Sequence, residues 1–129
     1  VGAPGDQALA QTMRDELAHQ PMLDLVGQTN LRQLAGLLAE VDLLMTNDSG
    51  PMHLAAAVGT PTISVFTCTS PIRSGPFGVG HQFLQTSISC RASYQKECSH
   101  RSCMKELAAD QLVPLLDQAG QAISSSRAA

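Results

Sequence analysis

Residues 46–61 read TNDSGPMHLAAAVGTP, and this stretch decides the predicted fold. The apolar run 41–45 before it predicts a strand that helices cover on both faces. Pro51–Val58 predicts a short helix with Ser49 at its N-cap and proline in its first turn. Thr62–Phe66 then predicts the next strand. A polar turn between a strand and a helix lies, in an open α/β sheet, where ligands bind.

Apolar spacing and turn residues predict further elements on either side of this stretch. In chain order they are a helix from the turn Pro4–Asp6 to about His19, a strand at Met22–Val26, a helix at 31–40 capped from the loop 27–30, an outer strand at Gln82–Thr86 and a helix at Leu107–Ile123. Pro114 predicts a kink or a later start for the last helix. Residues 67–80 and 90–103 are expected to be irregular.

Strands that alternate with helices at this spacing predict an α/β fold, a Rossmann-like parallel sheet with helices on both faces. Residues 1–123 are expected to form one domain, and 124–129 a flexible tail. The chain opens in what looks like a strand-to-helix loop and lacks an initiator methionine. We therefore expect a domain that is truncated at its amino terminus.

Composition narrows the class of protein. The chain has 129 residues, a hydrophobic content of 43% and a net charge of −3, with no basic excess for nucleic-acid binding. Mean hydropathy is +0.01. No apolar run approaches the length of a membrane span, and no signal peptide is recognisable. We expect a cytoplasmic protein.

The turn at residues 48–53 has the chemistry of a sugar-phosphate site. Asp48 can accept hydrogen bonds from sugar hydroxyls, and Ser49 with the N–H groups after it can donate to phosphate. Gly50 allows a ligand to approach the backbone, and His53 lies within reach of a phosphate oxygen. The structural alternative is that Asp48 and Ser49 only cap a helix, with His53 an ordinary surface histidine.

The stretch 48–61, continued by the strand Thr62–Phe66 and by Thr69-Ser70-Pro71, resembles the signature of glycosyltransferase family 9. This is the heptosyltransferase family of lipopolysaccharide core assembly. Residues 2–6 resemble a loop of the family's carboxyl-terminal domain, and residues 34–39 resemble the helix before the signature. The segment from Cys90 to Met104 resembles a cysteine-rich segment of many members.

The resemblance implies a GT-B enzyme with two facing Rossmann-like halves, of which this chain is most of the carboxyl-terminal, donor-binding half. It implies transfer of heptose from ADP-heptose to a lipid A–core acceptor, with inversion and no cofactor. The amino-terminal acceptor half, which carries the catalytic base, is missing. The fragment alone is expected to be inactive, and the intact enzyme to be peripheral at the inner face of the inner membrane.

The resemblance also assigns residues to donor binding, namely Asp48, Ser49, Gly50, His53, Asp6 and Thr29. Asp48 would hold hydroxyls of the donor sugar. The diphosphate would lie against Ser49, Gly50 and His53. Asp6 matches an acidic position that contacts the ribose, and Thr29 falls near the nucleobase pocket. No catalytic residue is expected in this fragment.

The cysteines allow several states. Cys90, Cys98, His100 and Cys103 offer soft ligands for zinc, although they lack the paired Cys-x2-Cys of common structural sites. Free thiols are the preferred interpretation. A disulfide is a third possible state, beside free thiols and a zinc site. Cys68 has no neighbouring base or cation, so we expect no catalytic thiol there but a substitution in the loop that lines the donor cleft.

Two other functions stay open from the sequence. A nucleotide-sugar epimerase of similar fold places an acidic-Ser-Gly turn at phosphates, but with a second glycine where Pro51 stands. A free-standing nucleotide-binding module is the non-enzymatic alternative.

Overall fold

The structure is a computed structural model, and it describes residues 1–17, 20–95 and 97–128. Its elements in chain order are α1 (Gln7–Glu16), α2 (Leu31–Glu40), β1 (Leu44–Asn47), α3 (Gly50–Ala57), β2 (Thr62–Phe66), α4 (Pro71–Ser74), β3 (Gln82–Gln85), α5 (Ser102–Glu106) and α6 (Val113–Arg127). The chain divides into two compact units, which we name unit 1 (residues 1–36) and unit 2 (residues 37–129).

Unit 2 contains a three-stranded parallel sheet in the order β1-β2-β3. Leu44 of β1 lies beside Thr62 of the middle strand, and Ile63 of that strand lies beside Gln82 of β3. The parallel α/β architecture is confirmed. β2 has the predicted bounds, and β3 ends one residue before its predicted end.

β1 begins three residues and ends two residues later than predicted, at Leu44–Asn47 instead of 41–45. The reason is the position of its partner, because β2 begins only at Thr62 and offers no ladder to residues before Leu44. β1 is also a sheet-edge strand with alternating exposure, and Met45 is 55% exposed. The expectation of a strand covered on both faces is therefore wrong for β1.

The core of unit 2 includes the interface of α3 with β1 and β2, and α2 and α6 each contribute a buried residue. Its buried apolar residues are Leu38, Met52, Ala55, Ile63, Phe66 and Ala119. The Phe66 ring meets the Phe83 ring edge to face, with centroids 6.2 Å apart. Because each large side chain in such a core contributes about 1.5–3 kcal/mol, this packing holds the carboxyl ends of the strands in place.

The turn from α3 to β2 sets where β2 begins. Gly59 has φ +85°, the left-handed conformation predicted for it at the end of α3. The next residue, Thr60, is buried, and its hydroxyl donates to the Leu38 carbonyl at 2.5 Å. This hydrogen bond ties the turn to α2.

Unit 1 departs from prediction at residues 22–26, where the structure has no strand. Here the Asp24 side chain accepts from the Val26 N–H at 2.9 Å, and the Gln28 N–H donates to the Leu25 carbonyl at 3.1 Å. These local bonds form a turn, and no strand among the described residues of unit 1 offers a ladder. The predicted strand is wrong.

The helices of unit 1 follow the sequence more closely. α1 runs from Gln7 to Glu16, and residues 18 and 19 of its predicted end lie outside the described part. The loop 27–30 supplies the cap of α2, as expected, and the capping residue is Asn30. Its side chain accepts from the Gln33 N–H while the Gln33 side chain accepts from the Asn30 N–H, both at 2.9 Å.

The last helix, α6, starts at Val113 with Pro114 in its first turn. Of the two outcomes predicted from Pro114, the later start is therefore the one observed. The helix continues through Arg127, beyond the predicted end at Ile123, so residues 124–127 of the predicted flexible tail are helical. The Arg127 side chain pairs with Asp42 at 2.6 Å, which holds this end.

Candidate functional site at the carboxyl edge of the sheet

The predicted sugar-phosphate turn lies at the carboxyl end of β1. Asp48 and Ser49 follow this strand directly, and α3 begins at Gly50. The Asp48 N–H donates to the Val65 carbonyl at 3.3 Å, so the turn is attached to the end of β2 as well. The half-buried Asp48 carboxylate thus lies at the edge where ligands of open α/β sheets bind.

Ser49 occupies the N-cap position of α3 with an extended backbone, as predicted, but its side chain makes no capping hydrogen bond. Its hydroxyl instead lies 3.3 Å from the Asn47 carbonyl and 3.2 Å from the Thr46 hydroxyl. The first turn of α3 is therefore not capped by Ser49. Its N–H groups keep the partial positive charge that suits an anion.

Gly50 and His53 complete the turn. A Cβ built at Gly50 meets no atom within 4 Å outside its own neighbourhood, so the backbone here is open to a ligand. His53 is exposed on α3. The structure thus brings together the four predicted site residues of unit 2, because they are neighbours in one strand-to-helix turn.

The other two predicted donor-site residues, Asp6 and Thr29, belong to unit 1. The Asp6 carboxylate accepts from the Ala3 N–H at 2.8 Å and is exposed. Thr29 lies half-buried in the loop before α2. A hydrogen bond from the Gly27 N–H to the Gly2 carbonyl, 2.9 Å, joins the stretches that carry these two residues.

The loop after β2 lies at the same edge of the sheet as the turn. The Thr69 carbonyl accepts from the Gln85 side chain at 3.2 Å, which links the loop to β3. The Cys68 carbonyl accepts from the Tyr94 N–H at 2.7 Å, which links it to the cysteine-rich segment. Tyr94 has φ +59°, as do few non-glycine residues, so the segment is held in a strained shape.

A cleft of about 420 Å³ opens beside this loop. Its walls include all four cysteines of the chain, Cys68, Cys90, Cys98 and Cys103, together with His100. The thiols are free. Within the residues that the structure describes, no three histidine, cysteine or carboxylate side chains are arranged to hold a metal ion. The signature turn does not line this cleft.

Glu106 is a structural residue that the sequence did not single out. Its carboxylate accepts from the hydroxyls of Ser87 and Thr86 and from the Ser87 N–H at 3.0 Å. These hydrogen bonds lower the pKa of Glu106 from its ordinary value of 4.5, and the Ser87 hydroxyl has the largest effect, followed by the Thr86 hydroxyl. These hydrogen bonds join α5 to the end of β3. Thr86 and Glu106 are twenty residues apart, so no local sequence pattern predicts the contact.

A parallel sheet with a polar strand-to-helix turn at its carboxyl edge is the architecture of Rossmann-like α/β domains. The family model of glycosyltransferase family 9 (heptosyltransferase) matches residues 1–104. The chain belongs to this family, which confirms the resemblance noted in the sequence.

Relatives with curated functions are named heptosyltransferases. The chain is 31% identical over 126 residues to lipooligosaccharide heptosyltransferase 2 of Haemophilus ducreyi, which covers 91% of this chain and 36% of that protein. It is 41% identical over 61 residues to the lipopolysaccharide core heptosyltransferase OpsX of Haemophilus influenzae, covering 47% of this chain and 18% of OpsX. The chain thus spans about a third or less of these relatives.

Solved structures show the same fold. The family 9 glycosyltransferase of Veillonella parvula superposes with a TM-score of 0.73 at 24% identity, covering 92% of this chain and 35% of that one. The Escherichia coli heptosyltransferase WaaC with ADP gives a TM-score of 0.69 at 21% identity, covering 92% and 32%. Among the described residues, no helix has the length and apolar character needed to cross a bilayer.

Proposed function

We propose that this chain binds the nucleotide-sugar donor in a heptosyltransferase that transfers heptose from ADP-heptose to the lipopolysaccharide inner core, with inversion. The observation that carries the proposal is the turn Asp48-Ser49-Gly50 at the carboxyl edge of the sheet, in a chain that belongs to family 9. Adenine as the base is supported by a relative, since WaaC was solved with ADP.

Each residue of the turn has a role that its environment allows. The Asp48 carboxylate accepts hydrogen bonds from the donor sugar. The first turn of α3 and the open backbone at Gly50 receive the diphosphate, with His53 beside it. The leaving diphosphate gains negative charge during transfer, so N–H groups at a helix start stabilise it as the glycosidic bond breaks.

Unit 1 supplies the nucleoside contacts in this proposal. A carboxylate suits a ribose diol, because each oxygen accepts from one hydroxyl, and Asp6 is such a carboxylate. Thr29 is assigned to the nucleobase pocket in the same proposal. The acceptor and the general base that activates its hydroxyl belong to the remainder of the parent enzyme.

A lipid-anchored acceptor and a nucleotide-sugar donor meet only at a membrane surface that faces the cytoplasm. We therefore assign the parent enzyme to the cytoplasm, peripheral at the inner face of the inner membrane.

Titration calorimetry with ADP, ADP-heptose and UDP-GlcNAc tests the proposal on this chain. ADP-heptose should bind more tightly than ADP, and Asp48→Ala should remove that difference. The loss expected for a hydrogen bond to a charged group is about tenfold to a hundredfold in affinity. Asp117→Ala, an exposed carboxylate on α6, is the matched control and should bind like the unmodified chain.

The alternatives predict other results. Preference for the UDP sugar favours the epimerase-like function. Binding of ADP with no contribution from the sugar favours a plain nucleotide-binding module. Absence of ADP binding, tested at ligand concentrations high enough to detect weak complexes, contradicts donor binding by this chain.

A further inference from the structure

A second cavity lies in unit 2, at the opposite edge of the sheet from the Asp48 turn, and it has a volume of about 200 Å³. Its walls come from residues at or just before the starts of all three strands and from α6. The strand side includes Leu43, Pro61 and Gly80, and the helix side is formed by Ala119, Ala122 and Ile123. Protein interiors leave few voids larger than a water molecule, so a space of this size requires an explanation.

The helix α6 is attached beside the strand starts at two points. Its Ala119 is buried, and its Arg127 pairs at 2.6 Å with Asp42, just before β1. Two of the three side chains with which α6 lines the cavity are alanines. These short side chains leave the space between the helix and the strand starts unfilled.

One polar group in the wall has no partner. The Ser64 hydroxyl donates to the Thr62 hydroxyl at 3.3 Å, and the Thr62 hydroxyl lies 3.2 Å from His81 Nδ1, so these groups satisfy one another. Gln82 belongs to the same wall, and its Oε1 is buried without a hydrogen-bond partner in the part of the chain that the structure describes. Leaving a buried acceptor unpaired is costly, so a bound molecule that donates to it gains affinity.

The volume and the charge of the wall define the kind of ligand. No lysine, arginine, aspartate or glutamate is among the described residues that line the cavity, so a charged ligand would lose its hydration without compensation. An apolar protein cavity of about 150 Å³ accommodates benzene, so this cavity has room for one or two small rings. Mostly apolar walls with a few polar groups are typical of small-molecule sites.

We propose that this cavity binds a small, uncharged, largely apolar molecule whose N–H or O–H group donates to Gln82. The terminal torsion of a glutamine side chain is soft, so the amide can turn its oxygen toward the ligand. The inference goes beyond the proposed function and does not depend on it, because the cavity and the Asp48 turn lie at opposite edges of the sheet.

Indole and benzofuran test the proposal, because they have nearly the same size and shape and only indole carries an N–H group. In titrations of the isotope-labelled chain followed by NMR, indole should bind about tenfold more tightly than benzofuran. The amide signals that shift should belong to the strand starts and to α6.

Three variants locate the contact. Gln82→Met keeps the length of the side chain and removes the amide acceptor, so indole and benzofuran should bind to it equally. Gln121→Met is the matched control, because Gln121 is an exposed glutamine of α6 outside the cavity wall, and it should keep the difference. Ala119→Leu places a larger side chain in the cavity and should abolish binding of both probes. Circular dichroism of each variant establishes that the fold is retained, and the Gln82→Met comparison stands if Ala119→Leu does not fold.

Several outcomes overturn the proposal. Absence of indole binding up to its solubility limit shows a cavity that holds water alone. Equal affinity of the two probes for the unmodified chain rejects Gln82 as the recognition group. Binding that survives in a folded Ala119→Leu variant assigns the probes to another surface. No titration contains a nucleotide, so the result is independent of the donor titration.

Discussion

Unit 1 and unit 2 are stabilised by different kinds of interaction. Unit 2 has a parallel sheet whose middle strand buries Ile63 and Phe66 completely. Unit 1 has α1, the first part of α2 and an ion pair between Arg14 and Asp24, and none of its described residues is buried. The comparison shows that the turn at Asp48 is supported by a buried core, whereas the stretches that carry Asp6 and Thr29 are held by hydrogen bonds and an ion pair without buried side chains.

The largest expected effect comes from the core of unit 2. Phe66→Ala should lower the free energy of unfolding by about 3–5 kcal/mol, because it leaves a cavity under the sheet. Leu17→Ala in unit 1, where the side chain is 43% exposed, should cost less than about 1 kcal/mol. Denaturant unfolding followed by circular dichroism measures both. Equal losses would show that unit 1 has a core of its own and would end the comparison.

A smaller effect is expected in the pH dependence of stability, which Glu106 of unit 2 should change. Hydrogen bonds from Ser87 and Thr86 lower the pKa of Glu106 in the folded state, so its contribution to stability is present above its ordinary pKa of 4.5. That contribution is lost as the pH falls through the lowered pKa.

Glu106→Gln should therefore flatten the acid limb of a plot of stability against pH, and Ser87→Ala should flatten it in part. Thermal melts at a series of pH values measure both variants. An acid limb in Glu106→Gln with the slope of the unmodified chain would show that this carboxylate does not link α5 to the end of β3.

The smallest effect is expected in unit 1. Arg14→Gln removes a partly exposed ion pair with Asp24, whose side chains are 34% and 25% exposed, and should cost about 0.5 kcal/mol. Hydrogen exchange should become faster in residues 20–28 and stay unchanged in the sheet. If amides of β2 also exchange faster, the two units unfold together, and the comparison must be revised.

Local signals in the sequence were sufficient where a local rule decides the conformation. Gly59 has the left-handed backbone that ends α3, Asn30 caps α2, and β2 has its predicted bounds. Each depends on residues within four positions, or on a continuous buried run that only the middle of a sheet accepts.

Local signals in the sequence failed where the conformation depends on a neighbouring strand. Residues 22–26 have the composition of a strand but adopt a turn, because the described part of unit 1 provides no ladder. The apolar run 41–45 pairs only from Leu44 onward, because β2 starts where the buried turn after α3 ends.

The sequence by itself determined the α/β class, the family and the six candidate donor residues, since these follow from adjacent residues and their order. The tertiary structure decided the clustering of four cysteines around one cleft and the Glu106 bonds to the end of β3. The physical reason is chain separation. Contacts between residues tens of positions apart form only after the sheet brings strand ends to one edge, and no short-range pattern encodes them.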